Sequence, residues 1–310
     1  MKKLIALILV LILALAGTSA VADMAGKQVA LMTPYLGSVT TNLMVEYMKA
    51  DLEERGAVVT VINTNNDFAK LASEVENIAA SGQTDAIVLV SADPSLIANQ
   101  LQEAFEAEIP VFGCDSGFIE GMHVNATSDN YQMGSLIVRY LFDDLMGGKG
   151  TVIALTHRPH PGVVKRCEAF DEIIKEYPDI TLITEQHVPA EQPINDAQSI
   201  VENLLLANSE KDSVTAIWAA WDEPAIGATQ ALKEAGYRIP EDVSVVGFDD
   251  ISSAQYVSPP LTTVQVPKTY LGEVAVGRVV QLIEGRSPQP LKVEVFTRLV
   301  RRKSVLSAQP

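Results

Sequence analysis

The chain has 310 residues, of which 47% are apolar and 20% are charged, so it is long enough for two hydrophobic cores and too apolar to be disordered. Its 39 acidic and 23 basic residues give a formal charge of −16, which disfavours binding to nucleic acid or to anionic membranes. The two cysteines, Cys114 and Cys167, are too few for a disulfide scaffold. We expect two buried thiols, with a disulfide between them as the alternative.

The N-terminus has the pattern of a secretory signal peptide. Lys2 and Lys3 precede an apolar run over residues 4–15, and small residues follow up to Ala22. The run is shorter than the about 20 residues that span a bilayer, and Ala-x-Ala is a pattern that signal peptidase accepts. We therefore expect residues 1–22 to be removed after Ala22 and the mature chain to lie in the periplasm. An uncleaved membrane anchor is the alternative.

From residue 28 onward, short β-branched runs alternate with amphipathic ones. The first unit contains the strand patterns QVALMT (28–33), AVVTVI (57–62), DAIVLV (85–90) and IPVFGC (109–114), with helices predicted between them. Strands without polar alternation are buried on both faces, and helical connections imply parallel pairing. The pattern predicts one doubly wound α/β lobe.

The same pattern then repeats. A helix is predicted near 130–146, and the strands TVIALT, TLITEQ, VTAIWAA and VSVVGF alternate with helices near 161–176, 194–208 and 223–235. The tail contains LTTVQV, a helix near 270–284 and the extended run LKVEVFTRLV. These leftover elements predict that the chain returns to the first lobe after completing a second one. We expect the basic cluster at 298–303 to be a solvated tail.

Ligands of open parallel sheets bind beyond the carboxyl ends of the strands. The segments that follow the predicted strands are therefore the candidate site: residues 34–41, 91–93, 115–116, 157–161, 221–222, 249–250 and 265.

The motifs at these strand ends resemble a known family. IPVFGCDSG, ATSDNYQMG, KRCEAF, WAAWDEPAIGATQALKEAG and VSVVGFDD look like the successive signatures of the ribose-type periplasmic sugar-binding proteins. The resemblance implies the type 1 periplasmic binding protein fold, in which two doubly wound parallel-sheet lobes are joined by three crossovers. We expect residues 26–128 and 265–290 in the first lobe, residues 129–264 and 291–305 in the second, and the ligand between them.

The resemblance also implies a function. A protein of this kind is the substrate-binding component of an ABC-type importer, closes its two lobes around a sugar or sugar-like polyol, and delivers it to an ABC permease in the inner membrane. We expect a monomer that uses no cofactor, metal or nucleic acid. It is not predicted to be an enzyme, since no nucleophile motif is visible. A sensory protein that presents its ligand to a chemoreceptor or histidine kinase is the alternative.

A second similarity leads to a related class of protein. The stretch IPEDVSVVGFDDISSAQYVSPPLTTVQVP is similar to the effector domains of lactose-repressor-type regulators, which share the fold but begin with a DNA-binding helix-turn-helix. Here the predicted signal peptide occupies that position. We therefore favour the exported binding protein over the regulator.

Three candidate ligand residues match polar contacts of the family. Asp115 ends the fourth strand, where the family places a carboxylate that accepts hydrogen bonds from sugar hydroxyls. Asp249 is expected to accept hydrogen bonds in the same way from the opposite lobe. Gln265 lies where the chain crosses between the lobes near its C-terminal end, and it matches a ligand contact of the family. A charged acceptor bonds a hydroxyl about twice as strongly as a neutral one does. For Asp115, a turn-forming aspartate is the alternative.

Other candidates are less closely tied to the family. Trp221 offers a flat apolar face to a sugar ring, with a core tryptophan as the alternative. Asp222, beside it, is a candidate ligand residue that also suits the cap of the following helix. Arg158 and His160 could donate hydrogen bonds from one loop, or that loop could simply be solvated.

The first loop and two arginine positions depart from the family pattern. Ser38, Thr41 and the intervening Thr40 stand where ribose-type proteins carry an asparagine and two stacking phenylalanines, so Tyr35 is the aromatic candidate there. Ser116 and Val164 stand at two arginine positions of the family. Ser38, Thr41 and Ser116 are still candidate ligand residues. The departures from the family pattern argue against ribose as the ligand.

Overall fold

The computed structural model describes residues 24–207, 213–287, 292–295 and 297–305. The predicted signal peptide lies outside these residues. Within them, no helix combines the length and the apolar character needed to cross a membrane.

The first lobe is built on a parallel sheet. Among the described residues, its strands are β1 (Gln28–Thr33), β2 (Val58–Asn63), β3 (Ala86–Val90), β4 (Val111–Cys114), β5 (Val124–Ser128) and β11 (Lys292–Val295), in the spatial order β11-β5-β4-β3-β1-β2. The helices around it are α1 (Val39–Glu54), α2 (Phe68–Ser81), α3 (Ala98–Glu106) and α8 (Lys268–Ile283). Every residue of β3 and β4 is buried, because helices cover both faces of the sheet.

The second lobe repeats this arrangement. Its described strands are β6 (Lys149–Thr156), β7 (Asp179–His187), β8 (Ala216–Ala219), β9 (Ser244–Asp249), β10 (Thr262–Gln265) and β12 (Arg298–Val300), in the order β12-β10-β9-β8-β6-β7. β12 runs antiparallel to β10, and the other pairs are parallel. The helices are α4 (Asn130–Arg139) with a π-helical continuation (Tyr140–Leu145), α5 (Pro161–Ile173), α6 (Pro193–Ala207) and α7 (Asp222–Glu234). Two doubly wound α/β lobes are thus confirmed.

Within the described ranges, the chain crosses between the lobes three times: from β5 to α4, from β10 to α8, and from β11 to β12. The expected boundary at residue 291 needs a correction. β11 pairs with β5, with Lys292 opposite Asn125, so this strand completes the first sheet and only the chain from β12 onward joins the second. The prediction failed because β5, whose open edge β11 covers, was not recognised in the sequence.

The basic C-terminal segment is part of the fold and not a solvated tail. Ser304 is fully buried, and its hydroxyl accepts from the Thr262 amide and donates to the Val245 carbonyl, both at 2.7 Å. Arg302 pairs with Asp250 at 2.6 Å. The expectation failed because charge alone does not reveal that this segment lies along the edge of the second sheet.

Both cysteines are buried free thiols. Cys114 ends β4 beside the Met44 sulfur, 3.8 Å away, whereas Cys167 lies in α5 of the other lobe. Burial raises the pKa of each thiol, so both stay protonated and unreactive at neutral pH.

Candidate ligand-binding site

A cavity lies where the carboxyl ends of the two sheets face each other. Its walls are formed by residues that follow strands or begin helices in both lobes: Tyr35, Ser38, Thr40, Thr41, Asp115, His157, His160, Val163, Arg166, Ala190, Trp221 and Asp249. This is the position that parallel-sheet topology predicts for a ligand. The cavity therefore contains seven of the predicted site residues: Tyr35, Ser38, Thr41, Asp115, His160, Trp221 and Asp249.

An ion pair of the second lobe forms one wall of the cavity. Arg166 is 3% exposed, and its Nη2 lies 3.2 Å from Oδ1 of Asp249. Its other nitrogens donate to Oδ1 of Asn130 at 2.9 Å and to the Ala220 carbonyl at 2.6 Å, and the guanidinium lies 4.8 Å from the centre of the Phe248 ring. These contacts fix the arginine. Oδ1 of Asp249 is buried and, although ion-paired, has no hydrogen-bond partner among the described residues.

Asp115 approaches the cavity from the first lobe. Burial raises the pKa of its carboxyl to about 6, the positive charge of Arg166 opposes that rise, and the negative charge of Asp249 adds to it. Asp115 (φ 51°) and Asp249 (φ 102°) both have left-handed backbone conformations at the ends of their strands. Non-glycine residues adopt such conformations at a cost of about 1–3 kcal/mol, and they concentrate at functional sites. Both carboxylates are thus held in place by the strand ends.

A cluster of aromatic and imidazole rings closes another side of the cavity. The ring centroid of Tyr35 lies 5.4 Å from those of both His157 and His160. Nδ1 of His160 accepts from the amides of Gly162 and Val163 at the start of α5, so its neutral ring carries the proton on Nε2. Burial, together with the charges of Arg166 and His157, lowers the pKa of His160 to about 3. This ring is therefore a neutral donor at physiological pH.

His157 has the opposite tautomer. Its Nδ1 lies 3.0 Å from the Val188 carbonyl, which can only accept, so Nδ1 carries the proton and Nε2 is an acceptor. Burial lowers the pKa of this ring as well. Nε2 of His157 and the hydroxyl of Tyr35 are both buried and have no hydrogen-bond partner in the described part of the chain. The cluster offers the cavity acceptors as well as donors.

The two tryptophans have different positions. Trp221 lines the cavity, is 7% exposed, and packs edge-on against His157 with 6.1 Å between the ring centroids. Trp218 is fully buried in the core of the second lobe, between Phe170 and Phe248. Trp221 therefore lines the cavity and also belongs to the hydrophobic core of the second lobe.

Four predicted residues are not among the side chains that line the cavity. The Ser116 hydroxyl donates to the Ala92 carbonyl at 2.7 Å, within the first lobe. Arg158 extends away from the cavity to Glu185 and Asp171, because these acidic side chains lie beside it on the second lobe. Gln265 donates to Asp250 at 2.9 Å.

Asp222 is the fourth of these residues and has a structural role. It is fully buried, and it accepts from the Ile251 amide at 2.9 Å and from the Thr263 hydroxyl at 2.6 Å. These bonds tie the start of α7 to the segments that follow β9 and form β10. Burial raises the pKa of its carboxyl well above the usual value.

Five residues that line the cavity are not among the individually predicted site residues: Thr40, His157, Val163, Arg166 and Ala190. A signal for two of them was present, since His160, Val163 and Arg166 recur at three-residue spacing and so share one face of α5. Ala190 follows β7, a strand end that was left out of the candidate segments. The arginine that the family carries at the position of Val164 is absent, but Arg166, two residues later, places a guanidinium in the cavity wall.

Comparison with known proteins identifies the family. A profile of the periplasmic binding protein domain family matches residues 29–257, and the chain belongs to this family. Among curated proteins, the HTH-type transcriptional repressor PurR of Yersinia enterocolitica is 28% identical over 273 residues, covering 88% of this chain and 76% of the repressor.

Solved structures are similar over most of the chain. An ABC sugar transporter subunit from Rhodobacter sphaeroides superposes with a TM-score of 0.80 at 24% identity, covering 89% of this chain and 98% of that one. An ABC transporter solute binding protein from Agrobacterium vitis, with bound allitol, gives the same TM-score at 26% identity, covering 89% and 96%. The fold is therefore that of the type 1 periplasmic binding proteins, which transport components share with transcriptional regulators.

Proposed function

We propose that the protein is the solute-binding component of an ABC-type importer and that it encloses an uncharged sugar or polyol between its lobes. One observation carries this proposal: four polar atoms of the cavity wall are buried without a hydrogen-bond partner among the described residues. They are Tyr35 Oη, Thr40 Oγ1, His157 Nε2 and Asp249 Oδ1. Buried polar atoms are nearly always hydrogen-bonded, so these atoms suit a ligand with several hydroxyl groups.

The charges of the cavity favour a neutral ligand. Arg166 is the one cationic side chain among the described residues that line it, and its guanidinium is already held by Asn130, Ala220 and Asp249. An acidic sugar would bring its negative charge close to Asp115 and Asp249 with no free cation to balance it. The faces of Trp221 and Tyr35 suit the C–H side of a sugar ring.

The relatives support the same class of ligand, but they include both transporter components and transcriptional regulators. The Agrobacterium vitis protein was solved with a polyol, whereas PurR is a transcriptional repressor. The charge of −16 weighs against DNA binding, since a DNA-binding protein gains affinity by neutralising phosphates. The N-terminal pattern, with Lys2 and Lys3 before an apolar run, supports export to the periplasm.

A thermal-shift assay with neutral and acidic sugars tests the proposal. The probes are D-ribose, L-arabinose, D-galactose and allitol, with D-galacturonate as the charged match of D-galactose. At 100 times its dissociation constant, a ligand stabilises the protein by about 2.7 kcal/mol, which raises the melting temperature by several degrees. We expect a neutral probe to do this and galacturonate to fail. A shift with galacturonate alone, or with none of the neutral probes, would contradict the proposal.

The compartment and the partner need separate experiments. N-terminal sequencing of protein from the periplasmic fraction should begin at Asp23. Crosslinking of the ligand-bound form in native membranes should capture an ABC permease. Capture of a chemoreceptor or histidine kinase would instead support the sensory alternative, and an intact N-terminus in the cytoplasm would support a regulator.

A further inference from the structure

Helix α1 begins in the wall of the cavity without a cap from its own lobe. Ser38 occupies the N-cap position, yet its side chain caps no amide of the described chain, and the first turn of the helix contains no acidic residue. By contrast, α2 in the same lobe is capped by Asp67, which accepts from the Lys70 amide at 2.8 Å. The first amides of a helix need acceptors, and the partial positive charge there favours a carboxyl oxygen.

The missing acceptor comes from the other lobe. Glu223, the second residue of α7, accepts from the Val39 amide through Oε1 at 3.2 Å. Glu223 is only 3% exposed, and its Oε2 is buried with no hydrogen-bond partner within the described ranges. Val39 is the first residue of α1. The bond therefore joins the amino ends of two helices that belong to different lobes.

We propose that Glu223 is a closure-determining residue that caps α1 across the cleft and thereby sets the fraction of the protein in the closed form. Val39 and Glu223 lie on opposite sides of the hinge, so opening of the lobes breaks the bond and leaves α1 uncapped. Closure restores the cap whether or not ligand is present. This inference rests on the proposed function, in which binding depends on hinge closure.

The protonation of Glu223 adds a pH dependence. Burial raises the pKa of this carboxyl to about 7, the bond from Val39 lowers it, Asp249 at the end of β9 raises it, and Lys268 at the start of α8 lowers it. In the open form the carboxyl regains water, so closure takes up a proton between its ordinary pKa and about 7. The contribution of Glu223 to closure is therefore full at low pH and is lost as the pH rises through 7. Glutamine resembles the protonated form and keeps the accepting oxygen.

The test measures the distance between the lobes in the absence of ligand. Spin labels are attached to cysteines introduced at Lys70 in α2 and Lys233 in α7, which are both exposed, while the buried Cys114 and Cys167 stay unlabelled. Pulsed electron paramagnetic resonance then gives the closed and open populations for the wild type, Glu223→Ala and Glu223→Gln. The matched control is Glu234→Gln, at the exposed end of α7.

At pH 6 we expect Glu223→Ala to lower the closed-to-open ratio about fivefold, the typical effect of losing a helix cap. Glu234→Gln should match the wild type, and Glu223→Gln should be at least as closed as the wild type, because glutamine closes without taking up a proton. From pH 6 to pH 8 the wild type should open, and Glu223→Gln should not. Equal distance distributions for the wild type and Glu223→Ala would overturn the inference, and so would opening of Glu223→Gln at pH 6.

A second measurement separates this inference from the proposed function. For any sugar of the panel that binds, the dissociation constant of Glu223→Ala should rise as its closed population falls, because binding requires the closed form. If no sugar binds, the proposed ligand class loses its support, while the spin-label distances still decide the role of Glu223.

Discussion

Replacing Arg166 by methionine should be one of the most damaging single changes to the second lobe. Methionine preserves much of the side-chain length but removes the ion pair with Asp249, the bonds to Asn130 and Ala220, and the contact with Phe248. Removing one partner of a buried ion pair leaves the other charge uncompensated, which costs about 3–5 kcal/mol. We expect a loss of this size in the free energy of unfolding at pH 8, measured by urea denaturation of the ligand-free protein.

The loss should be smaller at pH 5. Arg166 opposes the rise in the pKa of Asp115, so without the arginine this pKa moves further above about 6. A carboxyl whose pKa is raised in the folded state stabilises that state at low pH and loses this contribution as the pH increases. Arg166→Met should therefore lose more stability between pH 5 and pH 8 than the wild type does. Protonation of Asp115 at pH 5 removes part of the uncompensated charge.

Two controls make the test specific. Arg139 pairs with Glu176 on the surface, and its side chain is 46% exposed, so Arg139→Met should cost far less stability than Arg166→Met. Adding Asp249→Asn to Arg166→Met removes the orphaned charge and should recover part of the lost stability. A cost below 1 kcal/mol for Arg166→Met, equal at both pH values, would refute the view that Arg166 balances the cavity carboxylates.

Three further changes separate binding from folding. Tyr35→Phe removes a buried hydroxyl that has no partner among the described residues, so the free energy of unfolding should stay within about 0.5 kcal/mol of the wild-type value while the thermal shift with a binding sugar decreases; a large loss of stability would contradict this. Asp115→Asn should abolish the loss of stability that ionisation of Asp115 causes between pH 4 and pH 7, because burial raises the pKa of this carboxyl to about 6 and asparagine stays neutral; an unchanged pH profile would contradict the assignment. Ser304→Ala breaks the bonds to Thr262 and Val245 and should cost about 1–3 kcal/mol in urea unfolding, whereas a solvated tail would cost nothing.

The sequence predicts the fold well wherever strands are continuously apolar. QVALMT coincides with β1 (Gln28–Thr33), and the other predicted strands of the two units match to within two residues at each end. β5 was missed because three of its five residues, VNATS, are polar although every residue is buried. Its polarity is balanced by contacts from distant segments: Asn125 donates to the Ser116 carbonyl at 2.7 Å. The local pattern of apolar residues does not reveal a hydrogen-bond partner that comes from another segment of the chain.

The site was predictable to the extent that backbone topology decides it. Tyr35, Asp115, Trp221 and Asp249 follow strands, and parallel strands bring their carboxyl ends to one edge. The errors concern side chains with competing partners. Arg158 lies in the loop after β6, as expected, but the acidic Glu185 at 2.6 Å holds it on the surface of the second lobe. The position of Arg158 in the sequence predicts the location of its backbone, but the charged side chains around it determine the direction of its guanidinium.

Arg166 does not replace the ligand-binding arginine that the ribose-type pattern has at position 164. Positions 164 and 166 are separated by about 200° around a helix, so the guanidinium approaches the cavity from inside the second lobe. There its nitrogens bond to Asn130, Ala220 and Asp249, and little remains for a ligand. The recognition groups left over include the acceptors Asp115, Asp249 and Nε2 of His157. Among the described residues, the cavity combines several acceptors with a single cation that is already engaged. Under the proposed function, such a cavity favours a ligand that donates hydrogen bonds, and hydroxyl groups on a neutral carbon skeleton supply such donors.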